Sequence, residues 1–149
     1  MRNFLFSFFF IFLLAGCQTH DQVNENELSR GVSSDFIPSV EDIVDSHGDI
    51  RNLETFFTYL EKVSEKVPET IRVVKYTTEG APIIHDLAYD GENHIISTID
   101  STRDEFGQGD ISRAICKSIE KEEMVDRTDY SLSGCDVVEH DRLILVEWE

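Results

Sequence analysis

Three β-branched runs joined by very short connections constrain this chain more than any other feature. Ile71–Thr78 reads IRVVKYTT, Ile83–Tyr89 reads IIHDLAY and His94–Asp100 reads HIISTID. Each has strand length and is enriched in the residue types that suit a pleated, half-buried surface. Glu79-Gly80-Ala81-Pro82 separates the first pair, and Asp90-Gly91, a strong hairpin signal, separates the second. A parallel crossover needs a dozen residues or more, so connections this short allow only antiparallel neighbours. The runs therefore predict a three-stranded meander. In the second run Ile83, His85, Leu87 and Tyr89 share one face.

The flanking segments carry helical spacing. Pro38-Ser39 opens a first helix, with Ser39 as cap, Asp42 at capping-box spacing, Val40, Ile43 and Val44 as a narrow apolar stripe, and Gly48 as its end. A second helix starts from the N-cap Asn52, carries Leu53, Phe56, Phe57, Leu60 and Val63, and stops at Pro68. After the glycine-containing loop Ser101–Gly109, Asp110 caps a third helix running to about Met124. Ile111, Ala114, Ile115 and Ile119 form its core face, and Cys116 lies at the edge of that face. Tyr130–Val138 and Arg142–Trp148 form a closing hairpin turning at Glu139-His140-Asp141. The order ααβββαββ predicts an α+β domain: an antiparallel sheet of about five strands, meander plus C-terminal hairpin, with helices packed on one face. There is no internal repeat.

The N-terminus is an address rather than part of the fold. Arg2 precedes Phe4–Ala15, an apolar stretch interrupted only by Ser7. Its dozen residues fall short of the roughly 20 that a membrane-spanning helix needs, and a basic start before a short apolar run is the pattern of an export signal. The run ends in Leu14-Ala15-Gly16-Cys17, which resembles the lipobox of bacterial lipoproteins. That resemblance implies cleavage after residue 16, a diacylglycerol thioether on Cys17, and anchoring on the extracellular face of the cell membrane. Two acyl chains suffice for stable anchoring where one does not. Residues 17–34, polar and ending in a Gly/Ser cluster, read as a flexible linker reaching on the order of 20–25 Å. A single domain of 35–149 follows.

Thirty acids against thirteen bases give the whole chain a formal charge of −17. Loss of Arg2 with the signal would take it to −18. Such a surface repels nucleic acid and anionic polymers and suits a cation or a basic protein partner. With Cys17 assigned to lipid, Cys116 and Cys135 remain as an even pair in an oxidising compartment. They form a disulfide, two buried thiols or, least in keeping with the pattern, a reactive thiol.

The loop Asp100–Asp110 (DSTRDEFGQGD) holds the candidate metal ligands Asp100, Asp104, Glu105 and Asp110. Hard cations take several oxygens. The EF-hand spacing is broken, because Glu105 replaces its glycine and Ile111 its terminal acid. A structural role is the alternative: Arg103 pairs with an acid, Phe106 plugs the core and Asp110 caps a helix. His85 and His94 fall on adjacent strands but several residues apart along the ladder, too far to share an ion. Gly-x-Ser-x-Gly, P-loop, dinucleotide-binding and His-Glu-x-x-His motifs are absent from the sequence. No cofactor and no catalytic residue is therefore expected.

The blocks Ile71-Arg72-Val73-Val74, Tyr76-Thr77-Thr78-Glu79-Gly80, Pro82-Ile83, Leu87-Ala88-Tyr89-Asp90-Gly91, Asp100-Ser101-Thr102-Arg103-Asp104 and Gly134-Cys135 resemble a family of small lipoproteins from endospore-forming Gram-positive bacteria. The likeness extends roughly from Val40 to Cys135. An acid often follows the Glu-Gly pair in that family, where this chain has Ala81. The resemblance implies a domain of unknown function and supports pairing of Cys116 with Cys135, but implies no activity. Together these features predict a non-enzymatic binding or interaction domain at the cell envelope. The alternatives are an inhibitor or immunity-type lipoprotein for a basic protein, and a cation-binding or metal-dependent hydrolase.

Overall fold

The computed structural model describes residues 36–149. The export segment 1–16, Cys17, the linker 17–34 and the expected domain start at residue 35 lie outside the described residues. Among those described, the elements are β1 (Ile43–Ser46), β2 (Asp49–Arg51), α1 (Leu53–Glu65), β3 (Glu69–Tyr76), β4 (Pro82–Tyr89), β5 (Ile95–Asp100), β6 (Ile111–Cys116), β7 (Ser118–Glu123), β8 (Arg127–Ser133) and β9 (Leu143–Trp148).

The meander is present: β3, β4 and β5 are antiparallel neighbours, with Val73 opposite His85 and His85 opposite Ile99. The rest of the architecture differs from the expected α+β arrangement. The fold is mostly β, with one short helix among the described residues. A six-stranded sheet runs in the order β2-β1-β3-β4-β5-β6 and is mixed, because β1 lies parallel to β3. A three-stranded antiparallel sheet, β7-β8-β9, faces it across the core.

Two expected helices are strands, for separate reasons. In the segment from Ser39 to Gly48, Val40 is 91% exposed while the adjacent Ile43 and Val44 are both buried. Two consecutive buried β-branched residues suit a strand covered on both faces better than one stripe of a helix. His47 (φ 58°) and Gly48 (φ 94°) form the two-residue turn between β1 and β2. Primed hairpin turns need positive φ at both central positions, so Gly48 ends a strand rather than a helix. In the segment from Asp110 to Met124, the isoleucines at 111, 115 and 119 are spaced by four, an even number that also keeps a strand's face. Ile111 and Ile115 are exposed, whereas Ala114 and Cys116 are buried. That is period-two alternation, and Asp110 therefore caps no helix. The chain leaves one sheet as β6 and enters the other as β7 across Lys117.

The helix starting after Asn52 forms as expected, over Leu53–Glu65. Asn52 adopts the left-handed region (φ 58°), and its side chain caps no helix N–H. Its Nδ2 instead donates to the carbonyls of Val40 (2.9 Å) and Asp42 (2.8 Å), tying the helix start to the segment before β1. Phe56 and Tyr59 are buried, and Leu53, Leu60 and Val63 pack against the same core. The Phe56 ring meets Tyr130 of β8 edge-on at 5.0 Å, a geometry aromatic rings favour. One core results, from Ile71, Val73, Leu87 and Ile95 of the larger sheet to Leu132, Ile144 and Leu145 of the smaller.

Strands β8 and β9 pair as the expected closing hairpin. Their connection is a strap of nine residues, Gly134–Arg142, rather than a three-residue turn. Cys135 on this strap is disulfide-bonded to Cys116 at the end of β6, with Cα atoms 3.9 Å apart. The strap also plugs the β6 edge. Asp136 donates its N–H to the Ile115 carbonyl (3.0 Å) and accepts the Ile115 N–H on Oδ1 (2.7 Å). The outer strand of the smaller sheet, β7, is SIEKEE, and such charge discourages edge-to-edge pairing.

Candidate functional site

Two ladder rows on one face of the larger sheet build a cleft. Residues directly opposite each other share a face. The first row is Thr70, Ala88, Ile96 and Ile115; the second is Arg72, Asp86, Thr98 and Arg113. The first three members of each row line a cleft of about 800 Å³, a volume in the range of ligand sites. Its rim carries Glu41 and Asp42 from the segment before β1, Glu54 from the first turn of α1, and Glu69 from the start of β3. Arg72 lies in the cleft already engaged. Its Nε and Nη2 donate to the two carboxylate oxygens of Asp86 at 2.6 and 2.9 Å, the bidentate geometry guanidinium favours. The remaining rim charge is acidic.

The first row continues into a second recess of about 540 Å³ that shares Ile96 and adds Ile115, Lys117, Cys135 and Asp136. At its side Asp90 accepts the N–H groups of Glu92, Asn93 and His94 on Oδ1, and Oδ2 meets His94 Nδ1 at 2.8 Å. These N–H groups pull the Asp90 carboxyl down to about 2. His94 is thereby part of a turn and stands apart from His85.

The opposite face of the same strands holds a buried polar chain that the sequence reading missed. His85 Nε2 lies 2.7 Å from Ser97 Oγ, and Ser97 Oγ lies 2.7 Å from His140 Nε2. His140 Nδ1 lies 2.8 Å from Ser112 Oγ. His85, Ser97 and His140 are buried. The Ser97 hydroxyl has one proton, so it donates to one imidazole and accepts from the other. Two arrangements satisfy the chain with both rings neutral. Either Ser112 donates to His140, His140 to Ser97 and Ser97 to His85, or every donor and acceptor is reversed. Burial, with Lys75 nearby, pushes the His85 imidazole down to about 3, and burial alone lowers His140. Ser97 and His85 stand at the spacing of a nucleophile and its base. With Ser97 fully covered, no substrate reaches that hydroxyl in this conformation. The available signal was the inward register of His85, Ser97 and Ser112 on three adjacent strands. The fourth member sits on the strap, 43 residues beyond Ser97.

Asp100, Asp104 and Asp110 are tied into the loop itself. Asp100 accepts the Thr102 N–H and hydroxyl, and Arg103 Nη1 at 2.9 Å. Asp104 accepts the Phe106 N–H, Asp110 accepts the Ser101 hydroxyl, and Glu105 is exposed. The expected pairing of Arg103 is present. Phe106, expected to plug the core, is 80% exposed, because the loop turns on its Asx contacts and glycines and carries the ring outward. Among the described residues no group of three or more His, Cys, Asp or Glu is arranged to hold a metal ion.

Residues 40–131 match the family model described as Domain of unknown function (DUF4362). The chain belongs to the DUF4362 family. The DUF4362 match takes in the cleft, α1, His85, Ser97, Ser112 and Cys116, and ends before Cys135 and His140. No curated protein and no solved structure matches this DUF4362 chain. No helix among its described residues is long and apolar enough to cross a membrane.

Proposed function

We propose that this DUF4362 protein is a lipoprotein of the kind found in endospore-forming Gram-positive bacteria. It is anchored through Cys17 on the outer face of the cell membrane and acts as a non-enzymatic binding domain. Its binding face is the cleft over the two ladder rows, and its partner presents a cationic segment, as a basic envelope protein does. The observation that carries this reading is the charge of the cleft: Glu41, Asp42, Glu54 and Glu69 rim it, while Arg72 is neutralised by Asp86. The uncommitted field inside it is negative and attracts cationic partners. The covered position of Ser97 and the internal ties of Asp100, Asp104 and Asp110 favour binding over hydrolysis.

The test uses a lysine-rich peptide as probe. Reversing one rim charge exchanges attraction for repulsion, and at contact distance in water each is about 1 kcal/mol. Glu54→Lys with Glu69→Lys should weaken binding at least tenfold relative to Glu120→Lys with Glu122→Lys, which changes the net charge equally on β7, a strand that lines no part of the cleft. Equal weakening by both pairs would show that only total charge matters and would remove the cleft from the proposal. The anchor is tested by Cys17→Ser, which should leave the protein unprocessed or released to the medium. Wild-type protein found in the cytosol with Met1 intact would defeat that part.

A further inference from the structure

The strap Gly134–Arg142 is held to the larger sheet at three places. Cys135 is bonded to Cys116, Asp136 occupies both backbone groups of Ile115, and His140 inserts its ring between Ser97 of β5 and Ser112 of β6. From Asp136 to Arg142 every residue except His140 is exposed. The far half of the strap is therefore held by the His140 imidazole and, at its very end, by the Arg142 carbonyl, which accepts the Leu132 N–H at 2.8 Å. We propose that His140 is a proton-operated latch: protonation frees the ring from the serine slot, the far half of the strap swings outward on the anchor made by the disulfide and Asp136, and the slot between Ser97 and Ser112 opens to solvent.

The argument rests on what surrounds the ring in each position. In the slot, the hydrogen-bond partners of His140 are the hydroxyls of Ser97 and Ser112, and neither carries charge. The His85 ring of β4 lies 6.4 Å away between centroids, and Lys75 of β3 adds positive charge near His85. Lys75 itself is half-buried and donates to the Leu143 carbonyl at 2.7 Å. The charged groups near the ring pair, besides Lys75, are Asp86 of β4, Asp136 and Asp141 of the strap, and Glu120 of β7 and Arg142, which line one recess with His140. A proton on His140 turns both ring nitrogens into donors. The two serines can still accept, but whichever hydroxyl donated to the ring, Ser112 in one arrangement and Ser97 in the other, loses its acceptor there. The new charge then sits between two sheets, where a cation is poorly solvated.

Outside the slot the balance reverses. Asp136 and Asp141 lie near the ring in the slot already; what changes on opening is solvation, because the imidazolium outside the slot is hydrated. The proton therefore binds the open state better than the closed one. A ligand shifts an equilibrium only through such a difference in affinity. The lowered proton affinity of the buried ring agrees in sign. Opening separates the far half of the strap from β6 without unfolding the sheet, because Cys135 stays attached to Cys116.

Hydrogen exchange of the full chain between pH 7.5 and 5, corrected for the chemical rate, tests the latch. The imidazole in the open strap titrates near the ordinary value of about 6.5. Each pH unit below it should cost the strap amides up to tenfold in protection, while β3 and β4 stay protected. His140→Asn should flatten the profile, whereas His94→Gln, altering an exposed ring, should leave it unchanged. Strap protection independent of pH in the wild type, loss in step with β3 and β4, or a slope that survives His140→Asn would each overturn the proposal. Should His140→Asn not fold, the ring titration of His140 in the wild type decides. A midpoint below that of a free imidazole supports the latch, and one at or above it overturns the latch.

Discussion

A hydroxyl with one proton cannot treat two imidazole nitrogens alike, so Ser97 forces His85 and His140 into complementary tautomers. At His85 the consequence is a stability that depends on pH. Above about 6.5 the ring is neutral in the folded and the unfolded chain. As pH falls below that value the unfolded chain takes up a proton that the folded chain refuses until about 3. Stability is therefore lost across this window, by about 1.4 kcal/mol per pH unit where only the unfolded state titrates. His85→Leu should remove that part of the slope, read as the difference from wild type in denaturant unfolding between pH 7 and 5. Identical slopes would show that the His85 ring is not held neutral. The inward position of His85 was legible from period-two alternation in IIHDLAY. Its partner was not, because His140 comes from a loop and no local pattern links it to residue 97. At the Asp100–Asp110 loop the reverse holds. Pairing of Arg103 was legible from local sequence, but the outward Phe106 was not. Phe106→Ser should change stability by less than about 0.5 kcal/mol. Millimolar calcium should leave the melting temperature unchanged, and a rise of several degrees that Asp104→Ala abolishes would restore the cation site.

Elements divide by how their period was carried. The meander was legible because its turns are short and its runs β-branched, and α1 because Leu53, Phe56, Leu60 and Val63 keep a helical stripe that Pro68 ends. The stretch around Ile111–Ile119 misled because isoleucines spaced by four satisfy both periods. The decisive residues were the small ones between them: Ser112, Ala114 and Cys116 alternate inward. The β1–β2 turn was misread because a glycine after an apolar stripe ends helices and also completes hairpins. Gly48 can be tested there. A Cβ on it would stand 3.0 Å from the Trp148 ring, and its φ of +94° is one that L side chains rarely adopt. Gly48→Ala should destabilise by about 1–2 kcal/mol, measured by denaturant unfolding. An unchanged midpoint would mean that the β1–β2 turn does not pack on β9. The disulfide closes a loop with a sequence separation of 19 between the strap and β6. Replacing both cysteines by Ser should cost about 3 kcal/mol, and no loss would show that packing alone holds the strap.

At the scale of the molecule, acidic charge and sheet edges belong to one design. The outer strand β7 is covered with charge, the β6 edge is plugged by Asp136, and the neighbouring face of the larger sheet bears the cleft. Net charge was legible from composition. Its gathering along a rim was not, because Glu41, Glu54 and Glu69 meet only once β1 lies parallel to β3 and α1 spans the connection between them. The central claim, that this rim draws a cationic segment onto the two ladder rows, is tested most directly by mapping backbone amide shifts of residues 36–149 within the chain as a lysine-rich peptide is added. Shifts should centre on Thr70, Ala88, Ile96 and Thr98 and vanish in about 1 M salt, where the screening length falls to about 3 Å. Shifts centred on Ser118–Glu123, or spread evenly over the acidic surface, would contradict it.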